Sequence, residues 1–255
     1  MLFDTHSHLN AEQFEEDLQE VIARMKEAGV SYTVVVGFDE VTIKKAIELA
    51  ETYDFIYAAV GWHPVDAIDM TEEHLKWLEE LANHPKVVAL GEMGLDYHWD
   101  KSPEDVQKEV FRKQIRLARK VKLPIIIHNR DATQDIVDIL KEENAFEVGG
   151  IMHCFSGSVE VAKQCIDMNF LISLGGPVTF KNAKKPKEVA MEIPMEQLLI
   201  ETDCPYLTPH PFRGKRNEPS YVKLVAEEIA KLKGLSYEEV AVKTTENAKR
   251  LFSIQ

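Results

Sequence analysis

The sequence predicts an α/β protein, a closed (β/α)8 TIM barrel with an extra C-terminal helix. Three observations carry this. Eight short apolar runs of β character alternate with stretches of helical period along the whole chain. The runs are apolar on both faces, as strands of a parallel sheet covered by helices must be. The length, 255 residues, is the size at which eight such units close into one domain. A doubly wound open sheet is the competing arrangement. Eight regular units without a Gly-rich nucleotide loop favour closure instead. No low-complexity linker interrupts the pattern, so residues 1–255 are expected to form a single barrel domain.

The elements follow in order. A strand at Leu2–His6 leads into helical spacing over Ala11–Ala28, which Gly29 is placed to stop. The strand Tyr32–Gly37 precedes Asp39, a candidate N-cap for a helix at Glu40–Thr52. Phe55–Gly61 is the third strand, and Thr71 caps a helix at Thr71–Ala82. Val87–Glu92 is the fourth, followed by Ser102 as cap and Pro103 in the first turn of a helix at Pro103–Val121. Then come the strand Ile125–His128 and the helix Asp131–Glu142. The strand Gly150–His153 and the helix Val159–Met168, capped by Ser158, form the sixth unit. Phe170–Leu174 and Ala183–Glu192 form the seventh. The strand Leu198–Asp203 is followed by helical patterns at Glu218–Lys233 and Ser236–Phe252.

Composition sets bounds. With 45% hydrophobic and 29% charged residues, there is ample material for a full core. No apolar run approaches the ~20 residues that span a bilayer, so no membrane partner is expected. The N-terminus carries acids and histidines where a signal peptide needs a basic start, and a cytoplasmic location is the default. Three cysteines, Cys154, Cys165 and Cys204, are too few and too odd in number for a disulfide framework. Cys154 and Cys204, each following a candidate site residue, read as small buried hydrophobes rather than as ligands. The net charge of −13 argues against a passive nucleic-acid binder. It permits an enzyme that meets phosphates through metal ions and a local basic patch. No obligate protein partner is evident, and a monomer is expected.

Polar residues gather at the C-terminal ends of the expected strands. They are His6-Ser7-His8, Gly61-Trp62-His63-Pro64, Gly91-Glu92 through Asp96, His128-Asn129-Arg130-Asp131, His153-Cys154-Phe155 and Glu201-Thr202-Asp203. In a parallel barrel those ends converge on one face, where active sites form. His6 and His8, two apart, would point to one side of a strand. A pair of histidines near a chain end is also what a mobile terminus shows. Six strands each delivering a His or carboxylate make independent accidents a poor explanation. Four imidazoles (His6, His8, His128, His153) and two carboxylates (Glu92, Asp203) have the make-up of a two-metal centre for Zn, Mn, Fe or Co, or Mg where carboxylates dominate. Two ions held a few ångströms apart polarise a phosphoryl or carbonyl group and activate water, and a carboxylate beside them serves as base.

Two basic clusters sit in loops on the same face, Lys181–Lys187 after the seventh strand and Arg213–Arg216 after the eighth. That corner is the usual phosphate-binding site of the fold. Basic side chains there would hold a nucleic-acid backbone, and Trp62, Tyr97, Trp99 and Phe155 on neighbouring loops could stack bases. His74 and His84 read as surface residues. His98 and His210 lie in loops near the mouth, where either a site role or an ordinary loop position fits.

The ordered set resembles the TatD family of metal-dependent deoxyribonucleases, within the amidohydrolase-like barrels. The matching segments are Phe3–His8, Gly61–Pro64, Gly91–Tyr97, His128–Arg130, His153–Gly157, Glu201–Leu207 and Arg213–Pro219, nearly the whole chain in order. The resemblance implies that His6, His8, Glu92 and Asp203 hold one divalent ion. Glu92, His128 and His153 hold a second, with Glu92 bridging. It further implies that His63 lies close to the bound phosphate, that Arg213 contacts phosphate, and that single-stranded DNA is digested from the 3′ end. Asp203 is the expected base. Glu201, sharing a strand face with Asp203 by its spacing, would orient ligands or protons, and Arg130 at the end of strand five is a further substrate contact. Many amidohydrolases bridge their metals with a carboxylated lysine, whereas this chain has Glu92 at the strand-four position. The competing enzyme reading is hydrolysis of a C–N or ester bond in a small molecule or aminoacyl-tRNA on the same metals. A binding module with a structural metal fits poorly, because structural zinc sites are closed and usually Cys-rich.

Overall fold

A computed structural model describes residues 1–255. The strands are β1 (Leu2–Ser7), β2 (Val30–Gly37), β3 (Ile56–Val60), β4 (Val87–Asp96), β5 (Ile125–Arg130), β6 (Gly150–Met152), β7 (Phe170–Leu174) and β8 (Leu198–Ile200). Every neighbouring pair from β1–β2 to β7–β8 is parallel, in sequence order. The ring closes between β1 and the segment after β8. Ser7 bridges Cys204 in parallel. The His8 N–H donates to the Cys204 carbonyl at 2.8 Å and the Asp203 N–H to the His6 carbonyl at 2.9 Å. The fold is the expected (β/α)8 barrel.

The helices between strands are α1 (Leu18–Glu27), α2 (Glu40–Thr52), α3 (Glu72–Leu81), α4 (Glu104–Val121), α5 (Thr133–Glu142), α6 (Val159–Asp167) and α7 (Lys184–Glu192); α8 (Val222–Lys233) and α9 (Tyr237–Phe252) follow β8. Asp39, Thr71 and Ser158 each accept a backbone N–H from the first turn, as expected of N-caps. Gly29, at φ +81°, follows the end of α1. All eight strands contribute to one apolar cluster that includes Phe3, Val34, Ala59, Ile126, Ile151, Leu171 and Leu199, which places it inside the barrel. Ala248 and Phe252 of α9 join it. Thr245 and Asn247 of α9 donate to the carbonyls of Met1 and Leu198, where β1 and β8 start. The extra helix therefore plugs the N-terminal end and leaves the C-terminal end to the polar residues. No helix is long and apolar enough to cross a membrane.

Several boundaries shift for physical reasons. The first helical stretch splits into a short 3-10 turn, Glu12–Phe14, and α1. Ser102 does not cap α4. Its hydroxyl donates to the Val65 carbonyl and accepts the Ile68 N–H, tying the loop after β3 to the start of α4. Pro103 takes the N-cap position. β8 ends at Ile200 rather than Asp203, and Asp203 turns into the left-handed region at φ +56°. Conversely, β4 runs on to Asp96 after a register shift between Leu90 and Met93. Gly94 permits this, since a Cβ there would sit 2.0 Å from the His128 carbonyl oxygen.

Candidate metal centre

The C-terminal ends of β1, β4, β5, β6 and β8 bring all six expected donors together. His6 Nε2 and His8 Nε2 face each other at 3.2 Å. Asp203 Oδ1 lies 3.6 Å from the first and 3.3 Å from the second. Glu92 Oε2 lies 3.4 Å from His6 Nε2. Its other oxygen, Oε1, lies 2.7 Å from His128 Nδ1 and 3.0 Å from His153 Nε2. One carboxylate thus reaches two separate histidine sets with its two oxygens. The donor atoms of His6, His8 and Asp203 all fall within 4.8 Å of one another.

Three of the four histidines are oriented by an acceptor behind the ring, which leaves the other nitrogen aimed at the centre. His8 Nδ1 is 3.2 Å from the Val36 carbonyl. His128 Nε2 is 2.9 Å from Asp96 Oδ2. His153 Nδ1 is 3.0 Å from Glu201 Oε1, which also accepts the Cys154 N–H at 2.8 Å. His6 Nδ1 is buried without a partner, and so is Glu201 Oε2.

The electrostatics follow from this crowding. Burial pushes Glu92 toward its neutral form, but His153, His128 and His6 outweigh it and hold Glu92 well below the ordinary carboxylate range. Asp203 is likewise held down, burial being overcome by His8, His153 and His6. Burial opposes protonation of His8, His128 and His153, yet their carboxylate partners raise all three. His6 is lowered, by burial and then by His153. Four imidazole nitrogens and two ionised carboxylates converging out of water make a donor set suited to divalent cations. Because the Nδ1 hydrogen of His8 is donated to the Val36 carbonyl, the neutral ring presents a bare lone pair at Nε2, 3.2 Å from His6 Nε2.

His63 stands beside this set. Its Nδ1 accepts the Val65 N–H at 3.2 Å, so the ring hydrogen is on Nε2, 3.8 Å from Glu92 Oε1. Burial and the neighbouring His128 lower it to about 3. His63 therefore faces the centre as a neutral hydrogen-bond donor, although its donor atoms group with Glu92 and His128.

Other expected roles change. Glu201 and Asp203 do not share a strand face, because β8 has ended before them. Glu201 lies fully buried behind His153 and Asp203 turns toward His8. Trp62 is buried, stacks on His74 at 4.2 Å and donates Nε1–H to the Asp66 carbonyl, so it is not free to stack a base. Phe155 is buried, and the Tyr97 hydroxyl is engaged by Asp135. Trp99 is exposed, with the Arg130 guanidinium 5.8 Å from its ring. Arg213 lies 3.8 Å from the ring of Phe180. Arg216, by contrast, is tied to Asp17 and to the Gln13 carbonyl. Cys165 and Cys204 are buried, while Cys154 is only half-buried beside the centre. Of the remaining histidines, His74 and His84 are half-buried, and His98 and His210 exposed.

Asp96 and Gln107 are additions that periodicity did not single out. Asp96 accepts from the His98 and Trp99 N–H groups while holding His128. The buried Gln107 amide of α4 bonds both the N–H and the carbonyl of Asp96. Tyr206 is an exposed ring 6.1 Å from that of His8.

Residues 3–253 match the family model described as TatD related DNase. The chain is 73% identical over 254 residues, across 100% of both chains, to a Bacillus subtilis (strain 168) protein named uncharacterized metal-dependent hydrolase YabD. It is 32% identical over 259 residues to an Erwinia tasmaniensis protein named 3′-5′ ssDNA/RNA exonuclease TatD, covering 99% of this chain and 100% of that one. A crystal structure of YJJV, a TatD homologue from Escherichia coli K12, matches with a TM-score of 0.94 at 30% identity, covering 100% of this chain and 98% of that one.

Proposed function

The chain belongs to the TatD-related DNase family of metal-dependent hydrolases, and from that premise we propose that it hydrolyses phosphodiester bonds of DNA, as a 3′–5′ exonuclease on single strands. The observation that carries the reading is Glu92, whose two oxygens face two histidine sets at 3.4 Å and 2.7 Å. His6, His8, Asp203 and Glu92 would hold one divalent ion, and Glu92, His128 and His153 a second, with Mg, Mn, Zn, Co and Fe all compatible with these donors. Bound there, the ions supply Lewis-acid polarisation of the phosphoryl group and lower the pKa of water.

The chain's own groups do the rest. Asp203 is the more open of the two carboxylates, its side chain 14% exposed against 5% for Glu92. Ionised, it takes the proton of the attacking water on the carboxylate oxygen that is not turned to His6 and His8. His63 Nε2–H, neutral across the physiological range, donates to a non-bridging phosphate oxygen. Asp96 and Glu201 keep His128 and His153 turned inward. Arg130 and Arg213 border the mouth as guanidinium contacts for phosphate. The name of the Erwinia relative supports the strand state and direction, and the unpaired arginines support a phosphate substrate over a C–N or ester bond.

The test is a substrate panel. Metal-reconstituted protein is incubated with single-stranded DNA, duplex DNA, an aminoacyl-tRNA and a dihydropyrimidine, and then His128→Ala is run alongside. Mononucleotide release from single strands that disappears in the variant is the expected result. Absence of DNA turnover with each of Mg, Mn, Co and Zn overturns it, and turnover of the aminoacyl-tRNA or dihydropyrimidine instead assigns the competing chemistry.

A further inference from the structure

Of the eight arginines, Arg24, Arg112, Arg116, Arg119 and Arg216 pair with carboxylates. In a protein of net charge −13, such neutralisation is the default. Arg213 escapes it, and so does Lys181 on the facing loop; neither has a carboxylate within 4.0 Å. The two residues line one cavity of about 470 Å³ between the loops after β7 and β8, with Phe180, Asn182, Ala183 and His210. That volume falls in the ~300–1,000 Å³ range of small-ligand clefts.

Both walls of the cavity are fixed in place. The Thr179 hydroxyl donates to the Gly176 carbonyl and accepts the His210 N–H, stapling one loop to the other. Gly176 packs so tightly that a Cβ would sit 1.9 Å from the Leu207 carbonyl oxygen. The Thr208 hydroxyl donates to the Lys215 carbonyl at 2.5 Å, closing the loop that carries Arg213. Arg216 anchors the far side of that loop on Asp17. The loop after β7 also starts at the proposed centre, since the Cβ position of Gly175 is 3.5 Å from Glu201 Cγ. Only three residues separate Gly176 from Phe180.

We propose that this cavity is a binding subsite for a nucleotide beyond the two that the scissile phosphate joins, so that the enzyme reads an oligonucleotide rather than a single phosphodiester. The inference rests on the DNA-hydrolysis reading. The exposed Arg213 guanidinium lies 3.8 Å over the Phe180 ring. A guanidinium in this place would offer a plane for a base to stack on and an edge of N–H donors for phosphate. Lys181 supplies a second cation to the same phosphate, and His210 a ring edge. Stacking on such a ledge is tolerant of sequence, so the subsite selects for chain length and not for base identity.

The experiment compares kcat/KM on a thymidine dinucleotide and a thymidine tetranucleotide, for the metal-loaded wild type and for Arg213→Ala/Lys181→Ala. The wild type is expected to prefer the tetranucleotide by about tenfold, roughly one base stack. The double variant is expected to lose that preference through KM. In parallel, Kd for a fluorescein-labelled phosphorothioate tetranucleotide is measured against salt. The log–log slope should fall by about 1.4 in magnitude, about 0.7 for each cation removed from a single strand. Arg250→Ala is the control, on α9 at the opposite end of the barrel, and should move neither measurement. A double variant that keeps the tetranucleotide preference and the salt slope overturns the subsite while DNA hydrolysis stands. A wild type that cleaves neither substrate overturns the DNA reading, and the subsite with it.

Discussion

The two halves of the centre are built by different means. The half containing His6, His8 and Asp203 is positioned by backbone, where the barrel closes. The His8 and Asp203 N–H groups donate across the seam, and buried Asp4 accepts the Thr202 N–H at 2.9 Å and the Thr202 hydroxyl at 2.6 Å. The half containing His128 and His153 is positioned by side chains, with Asp96 and Glu201 braced against the rings. Glu92 is the one group common to both. A half set by the seam should resist single substitutions near it and fail when the seam opens. A half set by carboxylate braces should fail one ligand at a time without unfolding.

The largest effect is expected where the halves meet. Glu92→Ala should lower kcat by roughly a thousandfold or more, the scale of losing a main electrostatic element, and abolish tight metal uptake in calorimetric titration. Retained uptake of the same stoichiometry would break the idea of a shared carboxylate. Next come the braces. Asp96→Asn and Glu201→Gln should each weaken metal affinity or activity by about 10–100-fold, with the metal-free protein still unfolding in one cooperative transition. An equal loss from substitutions at Val36, whose carbonyl holds His8, would erase the distinction between halves.

A third effect concerns protons. In the metal-free protein His8, His128 and His153 have raised pKa values. Their charged forms therefore stabilise the fold below the ordinary histidine range, and this contribution is lost as pH rises through the raised values. A metal competes with those protons, so its apparent affinity should rise with pH by about tenfold per unit for each proton displaced. Titration in a weakly buffered indicator solution should record proton release, and affinity flat from pH 6 to 8 would contradict the assignment. The smallest effect is at the seam. Asp4→Ala leaves the buried Thr202 donors without an acceptor and should cost about 1–3 kcal/mol in urea unfolding. Burial pushes Asp4 itself up to about 8 against the Thr202 hydrogen bonds. The wild type should therefore lose stability relative to Asp4→Asn as pH rises from about 4 toward 8.

How much of this was legible depended on where the strands stop. His6, His8, Glu92, His128, His153 and Asp203 stand at or just past the ends of apolar runs, and apolar runs are what a sequence displays. Asp96 is visible at the end of strand four, but its place behind His128 is not, because alternation ends the strand at Glu92 and does not reveal the register shift that carries β4 onward over His128. The relation of Glu201 to Asp203 was misread for the opposite reason. Spacing of two implies one face only while a strand persists, and β8 stops at Ile200. Trp62 could stack bases only if exposed, and its burial depends on His74 and α4, contacts distant in sequence.

The seam also sets a clock during biosynthesis. Asp4 and Thr202 are 198 positions apart. At a ribosomal pace of ~5–20 residues per second, β1 waits roughly ten to forty seconds before the segment that completes its ring has been made. Throughout that interval Leu2 and Phe3, fully buried in the finished barrel, have no interior to enter, and one flank of the strand is open to any passing edge. The histidine pair is thus the earliest-made part of the centre and among the last to be put in place.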